Sequence, residues 1–465
     1  MELKSILRSC LNTLMNNKLP EIIDLFSGCG GLALGFQSAG FQVTHGIELS
    51  QEAVETVSYN LHWRYGEESG HICGDITQID ASVFSEEIGE NGCIVIGGPP
   101  CQAYSLAGRA KLRSLGEHRI NTNDKRGYLY QDFLRFVLDL NARAVVMENV
   151  PESTNYGGQN IPQTVCEILE QNGYTAYWTI LNSADYGVPQ IRERVFVIAV
   201  KSDEGIQINM PIPTNKNPEQ KLTQNQMRFK SFTECHNFKV PNYPVDELPD
   251  WITVGEALTD LPELFPTAQG RYTLNKINMP IRYRSAPETN YQILMRNWYG
   301  SEMNMTTGNC FRKTVRDFPI FEEMEQGDDY LRASEIADSL LEKACKVRGI
   351  TQISNPNEYA KLKKAIVPPY DRGNFTSKWQ KLNLDKPSHT LVAHLSVDTY
   401  SHIHPYEPRG ISVREAARLQ SFPDGFMFQC NMGDAFKQIG NAVPPLLAKG
   451  IAIQLYNAFS SEETQ

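Results

Sequence analysis

Apolar residues in the first 200 positions fall into short runs of strand length, separated by turn residues and by stretches with helical spacing. Glu21 to Phe26 predicts a strand that runs straight into Ser27-Gly28-Cys29-Gly30-Gly31 and then a helix. Phe41 to Ile47 predicts a second strand, ending in Glu48, with a helix over 51–59. A third strand end is expected at Gly74-Asp75-Ile76, and Cys93 to Ile96 is a further buried strand. Helix 128–141, strand 143–147, helix 162–171 and strand 174–181 follow. A tight Gly187-Val188-Pro189 link then predicts a last strand over 191–200 lying antiparallel to its neighbour. Strands alternating with helices predict an α/β fold with a doubly wound, mostly parallel sheet. Past Lys201 this rhythm stops. Polar, Pro- and Asn-rich sequence with basic and aromatic islands (Arg282-Tyr283-Arg284, Asn297-Trp298-Tyr299) predicts a second, irregular domain. A helix at 413–420 and an apolar helix ending near Ala458 close the chain. The expected organisation is a first domain over 1–200, a second with a hinge over 201–430, and a return over 431–465 that completes the first.

Composition narrows the picture only slightly. At 465 residues, 41% hydrophobic and 21% charged, the chain is an ordinary globular protein of two or three domains. No run approaches membrane-span length, and Met1 to Pro20 lacks the pattern of a signal peptide, so no membrane association is expected. Ten scattered cysteines, without a C-x-x-C pair or a Cys/His cluster at metal-ligand spacing, argue for a reducing compartment and against structural zinc. A net charge of −10 disfavours indiscriminate nucleic-acid binding but leaves room for a local basic cleft.

Candidate chemistry centres on Gly97-Gly98-Pro99-Pro100-Cys101-Gln102, which fixes a cysteine at the end of a buried strand, where open α/β sheets bind ligands. A thiolate there can act as a nucleophile; an incidental buried cysteine after a Pro-rich turn is the competing reading. The Gly-rich turn lacks G-x-G-x-x-G spacing, so no pyrophosphate is indicated, but Glu48 is placed to accept hydrogen bonds from a ribose. Together with Asp75 this favours a nucleoside-like cofactor. Ala103 to Arg126 carries Arg109, Lys111, Arg113, Arg119, Lys125 and Arg126 against Glu117 and Asp124, as a phosphate-gripping loop would. Glu148 stands at the same sheet edge as Cys101 and can serve as a desolvated acid. Alternation puts Arg192 and Arg194 on one face of the last strand, where they could hold an anionic backbone or, paired with carboxylates, be only structural.

Asp24 to Gly31, Pro99 to Gln102, Glu148-Asn149-Val150, Gln190 to Arg194, Arg414 to Pro423 and Gln438 to Pro445 together resemble the successive motifs of the cytosine-5 DNA methyltransferases. The resemblance covers roughly residues 20–200 and 386–455. It implies a Rossmann-like sheet that binds S-adenosylmethionine, with the segment from about 201 to 385 as a smaller target-recognition domain. Phe26, Gly28, Gly30, Glu48, Asp75, Ile76, Pro100 and Asn441 would hold the cofactor. Cys101 would add to carbon 6 of a flipped-out cytosine and Glu148 would protonate or hydrogen-bond ring nitrogen 3. Arg192 would support the base carbonyl, and Arg194 the site electrostatics. Gln102, Ser105, Arg109, Lys111, Arg113, Arg126 and Gln190 would contact double-stranded DNA. No metal is required. The family implies a monomeric, cytoplasmic, prokaryotic modification enzyme with a cognate restriction endonuclease. An RNA cytosine-5 methyltransferase and a catalytically silent DNA-binding homologue are the alternatives.

Overall fold

A computed structural model describes residues 19–100, 129–219, 227, 229–241, 247–264, 277–372, 378–395 and 400–460. The chain divides into two compact units, 1–251 with 442–465 and 252–441. The first therefore runs to Trp251, past the change of sequence character near Lys201.

In the first unit, β1 (Glu21–Leu25), β2 (Val43–Glu48), β3 (Gly70–Cys73), β4 (Cys93–Gly97) and β5 (Ala144–Asn149) are parallel. β6 (Tyr174–Asn182) and β7 (Glu193–Lys201) complete one seven-stranded sheet in the order β3-β2-β1-β4-β5-β7-β6. Because β6 and β7 are joined by a short link, they pair as an antiparallel hairpin, and β7 slots between β6 and β5, antiparallel to both. The strand order reverses between β1 and β4, which pair directly, Leu25 opposite Gly97. The crevice at that switch point is where such sheets bind ligands, between the Gly-rich turn and the Gly97–Pro100 segment.

Helices α1 (Gly31–Ala39), α2 (Gln51–Leu61), α3 (Ser82–Ser85), α4 (Leu129–Asp139) and α5 (Ile161–Gln171) connect the strands. Their starts follow the sequence. The Ser50 hydroxyl accepts the Ala53 N–H at the head of α2, and the Asn160 side chain accepts the Gln163 N–H at the head of α5. Ile23, Leu25, Val95, Val145 and Met147 face one side of the sheet and form one core with Phe133, Phe136 and Val137 of α4 and Val165 and Leu169 of α5. Ile22, Ile94, Ile96 and Val146 on the opposite face are also fully buried. Such two-sided burial explains why these strands read as continuous apolar runs. Beyond β7, residues 235–239 pair with the exposed side of β6: Trp178 donates its N–H to Asn237 O (2.9 Å) and Lys239 donates to Trp178 O (3.0 Å). The sheet edge is thereby covered.

The second unit contains α6 (Val254–Leu258), α7 (Asn290–Asn297), α8 (Phe318–Glu323), α9 (Tyr330–Arg348), α10 (Pro356–Ile366), α11 (Val413–Leu419) and α12 (Met432–Asn441), with a short β8–β9 pair (Ile281–Arg282, Met305–Thr306). Phe318, Phe321, Tyr330, Ile336, Trp379 and Tyr400 belong to its apolar cluster. Beside this core runs a buried ionic network. Arg418 joins Asp260 (2.9 Å) and Asp424, Arg296 joins Asp260 (2.6 Å), and Arg409 bridges Glu407 (2.8 Å) and Glu415 (2.7 Å). His404, Glu407 and Glu415 have donor atoms close enough to hold a cation, and the Arg409 guanidinium already pairs with both carboxylates. The chain returns to the first unit as α13 (Pro445–Ser460), packed on α1. There is no room for a side chain at Gly35, whose Cβ would fall 2.3 Å from that of Ala448. Among the described residues no helix is long and apolar enough to cross a membrane.

Candidate active site

The turn after β1 is tightly constrained. Phe26, Gly28 and Gly30 all have positive φ (58°, 54° and 86°). For a phenylalanine this conformation is strained by about 1–3 kcal/mol, so the surroundings must enforce it. They do: Ser27 N–H donates to Ile47 O (3.2 Å), Gly30 N–H to Ser27 O (2.8 Å) and Gly28 N–H to Glu48 Oε2 (2.9 Å). A Cβ at Gly30 would lie 2.6 Å from Val57 Cγ2, whereas one at Gly28 would meet nothing within 4 Å. The turn is thus closed behind and open in front.

Glu48 does more than end β2. Its second oxygen, Oε1, accepts the Ser50 N–H at 2.9 Å, so one carboxylate clamps the turn after β1 to the turn after β2. Two of its roughly four acceptor positions are used, which leaves capacity for a ligand hydroxyl. Leu49, directly after it, is 72% exposed, an aliphatic side chain at the ligand edge that sequence reasoning passed over. Asp75 lies one loop further along. Its Oδ1 accepts both the N–H (3.0 Å) and the hydroxyl (2.9 Å) of Thr77, which fixes the short turn carrying buried Ile76.

These residues suit a cationic nucleoside cofactor. Asp24 and Ser27 each place a buried oxygen (Oδ2 and Oγ) without a hydrogen-bond partner among the described residues. Burial, then Glu48, raises the Asp24 carboxyl well above the usual carboxylate range. The Asp24 and Glu48 carboxyls beside an open glycine turn fit a positively charged ligand, which would relieve the burial and the repulsion from Glu48 that raise the Asp24 carboxyl.

On the other side of the switch point, β4 ends in Gly97-Gly98-Pro99-Pro100. Gly97 packs so closely on β1 that its Cβ position falls 2.1 Å from Leu25 O, and a Cβ at Gly98 would stand 2.8 Å from Glu148 Oε2. Glu148 is 9% exposed, and its Oε1 lies 2.9 Å from Arg194 Nε. Burial pushes the Glu148 carboxyl upward and outweighs the opposing pull of Arg194 and then Arg192. Arg192 is fully buried. Its Nη2 donates to Ala442 O (3.1 Å), and its backbone oxygen accepts both the N–H and the hydroxyl of Ser183. Asn149 turns its side chain back to accept the Val150 N–H (2.8 Å), which ends β5 beyond the acid.

The structure thus gathers Phe26, Gly28, Gly30, Glu48, Asp75, Ile76 and Pro100 on the loops at one sheet edge, and brings Glu148, Arg192 and Arg194 together at the same edge. Gln190, expected on DNA, is instead fully buried in the interior. Asn441 ends α12 in the second unit and is exposed. Cys101, next in the chain after Pro100, lies outside the described residues, as do Gln102, Ser105, Arg109, Lys111, Arg113 and Arg126. The close approach of Gly98 to Glu148 escaped sequence reasoning, because only the pairing of β4 with β5 creates it.

Comparison with known proteins gives a consistent picture. The sequence model of the C-5 cytosine-specific DNA methylase family matches residues 21–457. The chain is 55% identical over 444 residues to an Oceanobacillus iheyensis protein that carries a provisional type II methyltransferase name, covering 95% of this chain and 96% of that one. It is 29% identical over 468 residues to the type II methyltransferase M.AgeI of Thalassovita gelatinovora, covering 95% of this chain and all of the relative. Its fold is similar to the crystal structure of an E. coli prophage protein provisionally described as a DNA modification methyltransferase. That similarity has a TM-score of 0.61 and 23% identity, and covers 95% of this chain and 99% of the other.

Proposed function

The chain belongs to the C-5 cytosine-specific DNA methylase family, and from the geometry above we propose how it performs cytosine methylation. It is a DNA cytosine-5 methyltransferase, and the type II methyltransferases among its relatives make it the modification enzyme of a restriction-modification system. The family is generally dependent on S-adenosylmethionine, which supplies the methyl group. In this chain we assign Phe26, Gly28, Gly30, Glu48, Asp75, Ile76, Pro100 and Asn441 to holding it. Leu49 is added as an apolar contact for the adenine. Glu48 would take the ribose hydroxyls.

The observation that carries the reading is the buried Glu148 carboxyl with an elevated proton affinity, set between Arg194 and Gly98 two residues short of Pro100-Cys101. Carbon 5 of cytosine is a poor nucleophile. Addition of the Cys101 thiolate to carbon 6 breaks the 5,6 double bond, and its electron pair moves into the ring as Glu148 gives a proton to nitrogen 3. Carbon 5 is left nucleophilic, and S-adenosylmethionine held by the residues assigned above would supply the methyl group, its sulfur keeping the bonding pair, while the Glu148 carboxylate takes back the nitrogen-3 proton. Loss of the carbon-5 proton to a base and departure of the thiolate restore the ring. Arg194 holds the Glu148 carboxyl in place, and Arg192 supports the base carbonyl. The base must leave the duplex stack, at a cost of a few kcal/mol. Gln102, Ser105, Arg109, Lys111, Arg113 and Arg126 are assigned to gripping the DNA meanwhile. Gln190, being buried, would act by shaping the approach to Arg192 rather than by touching the duplex. A monomer working in the cytoplasm beside a cognate endonuclease completes the proposal.

The test is to express the chain in cells lacking 5-methylcytosine and sequence their DNA at single-base resolution, alongside Cys101→Ser. One methylated sequence motif is expected with the wild-type chain and none with the variant, which should still bind DNA. Methylation undiminished in Cys101→Ser would overturn the mechanism. Methylation of transfer RNA instead of DNA would overturn the substrate.

A further inference from the structure

The charge of the second unit is sharply polarised along one helical hairpin. From Asp317 to Glu342 nine carboxylates face a single cation, Arg332. From Lys343 to Lys364 the sign reverses: Lys343, Lys346, Arg348, Lys361, Lys363 and Lys364 face only Glu358. These residues form the last turns of α9, the bend, and α10.

This end of the hairpin is well formed but stands clear of the core. The last buried residue of α9 is Leu341, and none of residues 342–361 is buried. Gly349 (φ 63°) closes α9 by donating its N–H to Cys345 O and Lys346 O, and Pro356 starts α10. In α10 only Leu362 is buried, with Tyr359 and Ile366 half-buried on the same stripe, so Lys361, Lys363 and Lys364 lie off the packed face. Lys343 pairs with Glu323 at 3.4 Å; among the described residues the other five cations have no ion-pair partner. At the bend, Val347 and Ile353 are 87% and 95% exposed.

Five unpaired cations on a projecting arm, in a chain of net charge −10, concentrate positive potential where packing does not demand it. A polyanion is the complementary partner. α10 is about 16 Å long, the rise of four to five nucleotides of one strand. We propose that Lys346, Arg348, Lys361, Lys363 and Lys364 form a phosphate-binding arm that grips the backbone of duplex DNA and supplies sequence-independent affinity. The inference rests on the reading of the chain as a DNA methyltransferase.

The test uses the full-length protein and a duplex of arbitrary sequence, with the dissociation constant measured by fluorescence anisotropy from 50 to 200 mM salt. Lys346→Gln, Lys361→Gln and Lys364→Gln are combined in one variant; all three sites are exposed, and glutamine preserves helix propensity. Each lost phosphate contact lowers the slope of log K against log salt by about 0.9, so a decrease of roughly 2–3 is expected, with about tenfold weaker binding at 100 mM. The corresponding triple arginine variant should restore both, and in methyl transfer the loss should fall on KM for DNA rather than on kcat. An unchanged slope in a folded glutamine variant, or a loss that arginine does not restore, overturns the arm. Failure of the wild-type chain to bind or methylate DNA overturns the functional reading instead, so the two failures are distinguishable.

Discussion

A methyl group added at Gly98 would stand 2.8 Å from Oε2 of Glu148, roughly 0.5–1 Å short of an ordinary contact. The segment cannot sink toward β1, because Gly97 already lies against Leu25 O. What gives way is the far end of the Glu148 side chain, which must swing from its position 2.9 Å from Arg194 Nε. Crowding in a packed site costs about 1–3 kcal/mol, partly offset by the roughly 0.4–1 kcal/mol that alanine removes from unfolded-chain entropy. Gly98→Ala should therefore fold, with its melting temperature lowered by a few degrees. Its chemistry should suffer more. Displacing a catalytic group by about 1 Å costs on the order of a hundredfold, or roughly 2.7 kcal/mol of barrier. Initial rates of labelled methyl transfer into unmethylated duplex DNA should fall about 30- to 100-fold in kcat, while cofactor affinity, measured by calorimetry, changes less than about threefold. A folded Gly98→Ala protein with kcat within about threefold of wild type would falsify the role given to the Glu148 position.

Other consequences follow from the same geometry. Glu48→Gln turns one carboxylate oxygen into an NH2 aimed at a backbone N–H, so calorimetry should show cofactor affinity weakened about tenfold or more, and unaltered affinity would remove Glu48 from the cofactor site. Glu148 must be protonated to act, and burial raises its proton affinity. kcat should accordingly fall as pH rises through that elevated value, and a Glu148→Gln enzyme should be slow with no such alkaline limb. Burial, followed by His62 and His45, drives the His71 imidazole down to about 3, whereas in the unfolded chain it titrates near 6.5. Its contribution is thus intact above pH 6.5 and is lost as pH falls toward 3. Denaturant unfolding should show about 2 kcal/mol less stability at pH 5 from this residue, a deficit that His71→Gln should reduce.

Much of the first unit was legible because its strands are buried on both faces, leaving uninterrupted apolar runs that locate β1, β2, β4 and β5 to within about two residues. The Gly-rich turn was legible for a steric reason, since Gly28 and Gly30 occupy conformations that most side chains resist. The insertion of β7 between β5 and β6 was not. Local periodicity carries no record of which distant strand is a neighbour, yet that pairing places Arg194 on Glu148. The helix at 413–420 was recognisable from its helix formers, but Arg414 and Arg418 look like surface residues in the sequence. They are buried because carbonyl oxygens and carboxylates arrive from elsewhere, among them Asp260, 158 positions away. Within the acidic stretch at 317–338, Tyr330, Ala333, Ile336 and Ala337 pack into the core of the second unit, while every carboxylate but that of Asp317 stays at least partly exposed.

The packing of α13 against α1 has a consequence for biosynthesis. α1 emerges early from the ribosome, but its partner surface, Pro445–Ser460, is made only after the whole second unit. Translation proceeds at about 5–20 residues per second, so the helix that follows the cofactor turn waits roughly 20–80 s for the element that covers it. Throughout that interval the close contact at Gly35 is missing, and Phe41 lacks the edge of Tyr456. A chain that stalls or is cut short before Pro445 can carry every catalytic residue of the first segment and still lack one wall of its first unit. Completion of the first unit is in this way deferred until Pro445–Ser460 has been made.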